Sequence, residues 1–218
     1  MTLPLEFEIQ EGSPGGPLLV LLHGRGSNES DLAPLGRLLS PQATVVTPRA
    51  PFPGQPWGYG PGWAWYRFIG GTTPEPESFE AGQEKLAEFL RDLPAAIDRV
   101  GAPLFVGGFS QGGTSSLAWS LRHPGTAACI LVFSGFVADH PSVRATPETV
   151  AGTSIWWGHG TADGSIPFSH AQVGWETLRA ANADLEAHAF EGMGHTISRQ
   201  AATSAQRFIA RLWGGDRS

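Results

Sequence analysis

The five residues Gly108-Phe109-Ser110-Gln111-Gly112 constrain this chain more than any others, because they set a small polar nucleophile between glycines directly after an apolar run. That run, Leu104-Phe105-Val106, is led in by Gly101 and Pro103, and the residues from Thr114 to Leu121 contain no helix breaker. A strand, a sharp turn and a helix follow from the pattern. The turn exposes the Ser110 side chain on strained backbone, and glycines at 108 and 112 admit neighbouring backbone where a Cβ would clash. In a chain with 29 glycines an isolated G-x-S-x-G is as readily an ordinary turn, so the assignment depends on partners elsewhere.

The remaining chain alternates strand and helix signals. Leu5 to Ile9 alternates apolar and acidic residues, as an edge strand does, whereas Leu18 to Leu22 is apolar throughout, as a strand covered on both faces requires. The latter runs into His23-Gly24-Arg25-Gly26-Ser27-Asn28-Glu29, a glycine-punctuated loop able to aim backbone N–H groups into a cleft at the carboxyl end of a sheet. A helix carrying Leu32, Leu35, Leu38 and Leu39 on one face comes next, then a β-branched strand from Thr44 to Thr47. Pro48 to Pro76 is crowded with Pro, Gly, Trp and Tyr, and its aromatics argue for an ordered flap, or for packing over the sheet edge, rather than disorder.

Ser78 suits the N-cap of a helix with Leu86, Phe89, Leu90 and Leu93 as its stripe, interrupted at Pro94. Further strands are expected at Ala128 to Phe133, Ser154 to Trp157 and Leu185 to Phe190. A helix from about Phe168 to Ala183 would bury Val173, Trp175 or Leu178, and Gly192-Met193-Gly194-His195 would open a last helix ending near Trp213. The alternation predicts one α/β domain over 1–218, with a mostly parallel central sheet, helices on both faces and no large separate cap domain.

In such a sheet every strand-to-helix loop opens on one edge, so residues distant in sequence can meet there. A serine hydroxyl is a poor nucleophile until an imidazole takes its proton, and a carboxylate must hold that imidazole in the right tautomer. His195, late in the chain with a tight glycine lead-in, fits the base. Asp163, in the loop after Ser154 to Trp157, fits the acid. Asp139 is its rival, since it also follows a strand, but Pro141 lies close behind it and only Asp163 has the later strand. The order Ser, Asp, His belongs to the α/β-hydrolase architecture. His23 reads as a brace for the loop after Leu22, His159 as shaping the turn before the acid, and His123, His140, His170 and His188 as surface or surrounding residues.

Composition narrows the partners. A formal net charge of −6 disfavours nucleic acid and anionic membranes, which are bound mainly by basic surface. Cys129, the one cysteine, excludes an internal disulfide and a cysteine-based metal cluster, and neither a cofactor nor a metal is expected. Met1 to Gln10 has neither a basic start nor an apolar core, and the longest apolar run is far too short to span a bilayer, so no membrane insertion and a cytoplasmic location are expected. The tryptophan-rich flap could expose enough apolar surface to pair two subunits as a homodimer.

Four segments together resemble the phospholipase/carboxylesterase family of α/β hydrolases: Leu22-His23-Gly24-Arg25-Gly26, Gly108 to Gly113, Gly160 through Asp163 to Pro167, and Gly192-Met193-Gly194-His195. The family includes carboxylesterases and acyl-protein thioesterases. The resemblance implies Ser110 as nucleophile, Asp163 as acid, His195 as base, and an oxyanion hole from the backbone N–H groups of Arg25 and Gln111. The Gly24 to Glu29 loop, and Trp65-Tyr66-Arg67 where thioesterases tend to carry Trp-Phe-Asp, look more like the bacterial esterase branch. The implied activity is hydrolysis of short-to-medium acyl esters of small molecules, with Trp65, Tyr66, Phe68 and Phe136 as candidate pocket residues. Thioester or lysophospholipid hydrolysis on the same triad is the alternative, and a catalytically silent ligand receptor is the alternative of another class.

Overall fold

Buried apolar runs form the centre of the sheet, and its middle strand continues through Gly107 and Gly108. In the computed structural model, which describes residues 2–214, the strands are β1 (Phe7–Gln10), β2 (Leu18–Leu22), β3 (Thr44–Pro48), β4 (Leu104–Phe109), β5 (Cys129–Phe133), β6 (Ser154–Gly160) and β7 (Asp184–Phe190). They form one sheet in the order β1-β3-β2-β4-β5-β6-β7, parallel except where β1 runs antiparallel to β3 at the edge. The expected domain bounds of 1–218 include Met1 and residues 215–218, which lie outside the described residues.

Side chains alternate between two layers. Leu18, Val20 and Leu22 face one core with Phe89, Leu93, Leu117 and Leu178, drawn from α2 (Pro76–Ala96), α3 (Gln111–Arg122) and α5 (Phe168–Ala180). Leu19 and Leu21 face the other core with Leu39, Phe208 and Ile209, drawn from α1 (Ala33–Leu39) and α6 (Arg199–Gly214). Each such fully buried side chain stabilises the fold by roughly 1.5–3 kcal/mol relative to exposure. A four-residue helix, α4 (Pro147–Val150), is capped by Thr146 and was not foreshadowed by any periodicity.

Several sequence expectations shift. Helix α2 is capped by Glu75, whose carboxylate accepts the Ser78 N–H, so Ser78 lies inside the first turn rather than before it. Pro94 does not interrupt α2, because it falls in the last turn, where a missing N–H removes only one bond. Leu38 and Val173 face solvent, at 48% and 62% exposure; α1 buries Gly36 against Val45 instead, and α5 buries Ala171, Trp175 and Leu178. Strand β6 runs on through Gly158, His159 and Gly160, and α6 begins at Arg199, leaving His195 in the loop before it.

The aromatic stretch is packed down rather than raised as a flap. Phe52–Pro53 pairs with Trp63–Ala64 and Phe68–Gly70 with Thr73–Pro74, with a single 3-10 turn at Gln55–Trp57. Trp65 and Tyr66 are 2% and 1% exposed. Trp57 and Trp63 are half-buried, so of the three tryptophans on which pairing of subunits was expected only Trp65 is fully turned inward. No helix among the described residues is long and apolar enough to cross a membrane.

The strand order turns back at β2. Going forward from β2 the chain adds β3 on one side, then crosses to lay β4 on the other. The loops after β2 and β4 thus diverge at a switch point, where open α/β sheets bind ligands. Arg25 follows β2 and Ser110 follows β4.

Candidate active site

Ser110 sits between the last residue of β4 and the first of α3 with φ 56° and ψ −118°, a conformation that costs a non-glycine residue on the order of 1–3 kcal/mol. Its N–H is held by the Phe133 carbonyl at 2.8 Å. The turn is this tight because α3 starts against the end of β2: a Cβ on Gly112 would lie 2.0 Å from the Leu22 carbonyl oxygen. Only glycine fits there.

Strands β6 and β7 deliver the other two groups. A Cβ on Gly160 would meet the Met193 carbonyl oxygen at 2.0 Å, and the Ala162 N–H donates to that same oxygen, so the loops bearing Asp163 and His195 lie directly against each other. His195 Nε2 is 2.9 Å from Ser110 Oγ, and His195 Nδ1 is 2.7 Å from Asp163 Oδ2. The other carboxylate oxygen, Asp163 Oδ1, accepts the N–H groups of Ser165 and Ile166, each at 2.9 Å. Burial opposes ionisation of Asp163, but the Ile166 N–H, His195 and the Ser165 N–H outweigh it and hold the carboxyl below its ordinary pKa. Phe109 packs on the His195 ring with centroids 4.8 Å apart.

The structure brings together Ser110, Asp163 and His195 and leaves the rival acid out. Asp139 lies at the Phe68–Pro74 hairpin, where it takes a bond from Thr73, and makes no contact with His195. His23 braces the loop as expected from the sequence: its Nδ1–H donates to the Gly24 carbonyl, its Nε2 accepts the Ala50 N–H, and burial lowers its pKa. His159 is buried in β6, where Nε2 reaches the Ile166 carbonyl at 2.9 Å and stands 3.4 Å from Asp163 Oδ2. It thus supports the loop that carries Asp163 rather than forming part of the turn.

Gln111 is fixed by its own side chain. Its Oε1 accepts the Trp65 N–H and its Nε2 donates to the Tyr66 carbonyl, both at 2.8 Å, joining the start of α3 to the aromatic stretch. As the first residue of α3, its N–H has no intrahelical acceptor. The Arg25 N–H likewise donates to no backbone carbonyl among the described residues. Both residues line the cleft above Ser110.

That cleft has a volume of about 220 Å³. Tyr66, Phe68 and Phe136 line it, as the sequence suggested; Trp65 does not, because its indole turns beneath the loop and donates to the His23 carbonyl at 2.9 Å. Ile166, Pro167 and His170 also line the cleft and were missed. The available signal was the apolar pair Ile166-Pro167 directly behind the acid, which a reading centred on the triad passes over. Among the described residues no group of three or more His, Cys, Asp or Glu is placed to hold a metal ion.

Residues 6–213 match the family model for phospholipases/carboxylesterases. A probable carboxylesterase of Oryza sativa is 40% identical over 49% of this chain and 40% of its own length, and the esterase YpfH of Escherichia coli is 28% identical over 86% and 79%. The chain spans about half the length of the plant relatives it matches. Among solved structures, a carboxylesterase from Mesorhizobium loti superposes with a TM-score of 0.81 at 25% identity, covering 95% of each chain.

Proposed function

The chain belongs to the phospholipase/carboxylesterase family, and on that premise we propose that it is a serine carboxylesterase acting on short-to-medium-chain esters of small molecules, without a cofactor. The observation that carries this reading is the unbroken relay from Asp163 through His195 to Ser110, with contacts of 2.7 and 2.9 Å, mounted on a strained elbow.

The chemistry runs in two halves. Ser110 Oγ attacks the ester carbonyl carbon as its proton passes to His195 Nε2, and the resulting oxyanion is held by the N–H groups of Arg25 and Gln111. The C–O bond to the alcohol breaks, the alcohol leaves with the proton from Nε2, and an acyl-Ser110 ester remains. Water then attacks that ester and gives its proton to Nε2; on collapse the bond from Oγ to the acyl carbon breaks, Nε2 returns that proton to Oγ, and the acid is released. Asp163 stays ionised throughout, fixing the imidazole tautomer and stabilising the imidazolium. The position of Gln111 at the N-terminus of α3 adds the helix dipole to the oxyanion site.

A cleft of about 220 Å³, below the roughly 300 Å³ of drug-sized pockets, supports compact acyl groups over long lipid chains. It therefore disfavours the thioesterase and lysophospholipase reading. Three polar groups already in bonding register disfavour a silent receptor.

Ser110→Ala tests the assignment. Turnover of 4-nitrophenyl butyrate is expected to fall by at least 10³-fold with unchanged circular dichroism, and a fluorophosphonate probe should label the parent protein at Ser110 and leave the variant unlabelled. Turnover at the parent rate in the variant would remove Ser110 from the mechanism.

A further inference from the structure

The Arg25 side chain is unaccounted for by the chemistry above, which uses only its backbone. Its guanidinium carbon lies 4.6 Å from the centre of the Tyr59 ring and 5.6 Å from that of Phe68. That platform is fixed, because the Tyr59 hydroxyl accepts the Phe68 N–H at 2.8 Å. The loop bearing Arg25 is fixed too, with the Gly26 N–H on the Trp63 carbonyl and the Trp63 N–H on the Ser27 carbonyl. Rings hold the cation through its face and leave the N–H donors at its edge unspent.

No carboxylate among the described residues meets those donors. Arg49, Arg91, Arg99, Arg122 and Arg211 each pair with an acid; Arg25, like Arg67, Arg179, Arg199 and Arg207, makes neither an ion pair nor a hydrogen bond through its side chain, and among the described residues it is the arginine that lines the cleft above Ser110. It is exposed and lines the cleft that contains Ser110, and no acidic side chain lines that cleft, although the chain carries a net charge of −6. A positioned cation in a cleft without an acidic side chain is a recognition group for an anion, and the guanidinium fork matches a carboxylate.

We propose that the Arg25 guanidinium is a carboxylate subsite, and that the enzyme prefers esters carrying a free carboxylate a few atoms from the scissile bond. The inference rests on the esterase reading above. Because the Arg25 N–H and its guanidinium belong to one residue, the same loop positions the reacting carbonyl and the distal charge.

The test is a ratio of kcat/KM values for the full chain on matched esters. On the acyl side, mono-4-nitrophenyl glutarate is compared with 4-nitrophenyl pentanoate; on the alcohol side, 4-acetoxybenzoate with phenyl acetate. In at least one pair the charged ester is expected to win by roughly tenfold or more, mainly through KM, with the advantage shrinking as salt rises. Arg25→Met should collapse that ratio towards one, and Arg25→Lys should retain part of it. Any effect of substitution on the backbone donor acts on both esters and cancels in the ratio. Ratios near one in both pairs for the parent protein, with the neutral esters turned over and Ser110 labelled by fluorophosphonate, would overturn the subsite alone. Absence of both turnover and labelling would instead sink the esterase reading and this inference with it. A preference that survives Arg25→Met would move the anion site elsewhere.

Discussion

At the scale of single residues, the site depends on groups held by more than one bond. Asp163 takes three close hydrogen bonds, two from backbone N–H groups and one from His195, so its orientation is set before any substrate arrives. An amide there could keep the two backbone bonds but would present its NH2 to His195 Nδ1 and favour the tautomer that cannot accept the Ser110 proton. Asp163→Asn is therefore expected to lower kcat by roughly 10³–10⁴-fold while changing KM little. Steady-state kinetics on 4-nitrophenyl butyrate would decide it, and a loss confined to KM would show that Asp163 is not the acid. That Ser110, Asp163 and His195 meet was legible in the sequence, because each follows a strand at a glycine-marked turn and topology alone carries such positions to one edge. The role of Trp65 was not legible. An aromatic residue in an irregular stretch can point into a cleft or beneath it, and here the choice is made by the Gln111 amide and the His23 carbonyl, which lie 46 and 42 residues away.

At the scale of elements, the informative junction is the one between α3 and the aromatic stretch. The Gln111 side chain satisfies a buried N–H on Trp65 and a buried carbonyl on Tyr66, and both ends of that connection border the cleft. Gln111→Ala strands the two groups, each at a cost of roughly 1–3 kcal/mol. The measurable consequences are a lower urea midpoint and a higher KM, because Tyr66 and Phe68 lose their tie to the helix that follows Ser110. An unchanged midpoint would mean that water or a shifted loop replaces both bonds. The bounds of Leu18–Leu22 were read well, whereas the strands read as ending at Val106 and Trp157 run on through Gly107-Gly108 and Gly158. The start of α2 was read poorly too, since Ser78 looked like the cap although Glu75, three residues earlier, accepts its N–H. A side chain one turn away competes for the same backbone donors, and only the entry direction of the chain decides between them.

At the scale of the whole molecule, the sheet order β1-β3-β2-β4-β5-β6-β7 does what no segment does alone, bringing the loops after β2, β4, β6 and β7 to one edge. The parallel arrangement was legible from strand–helix alternation, whereas the place where the order turns back was not, since it depends on which neighbour each strand finds. Among the described residues the large exposed apolar side chains are Ile9, Leu38, Ile69, Val100, Val173 and Leu212.

The same fold stores charge states that acid should release in two stages. His23 and His159 are buried and their pKa values lie below 6.5, so the unfolded chain binds more protons than the folded one as pH falls below 6.5. The stability they contribute is complete above that pH and is lost as pH falls through their folded values. Glu29, lowered by its bond to Arg49, is depressed from 4.5, as is Glu80, where burial is outweighed by Ser142 and Arg122; Asp163 is depressed from 3.8. Their contribution is present above those ordinary values and is lost only as pH falls below them. Tm measured from pH 8 to 3 should therefore stay level to about pH 6.5, decline gently towards pH 5, and fall more steeply below about pH 4.5. Replacing His159 by Gln, which cannot take up the proton, should flatten the first decline and leave the second. A Tm that is level from pH 7 to 5 in the parent protein would mean that both histidines find room to charge inside the fold, against the burial that disfavours each charged ring and, at His23, against the Ala50 N–H that Nε2 accepts.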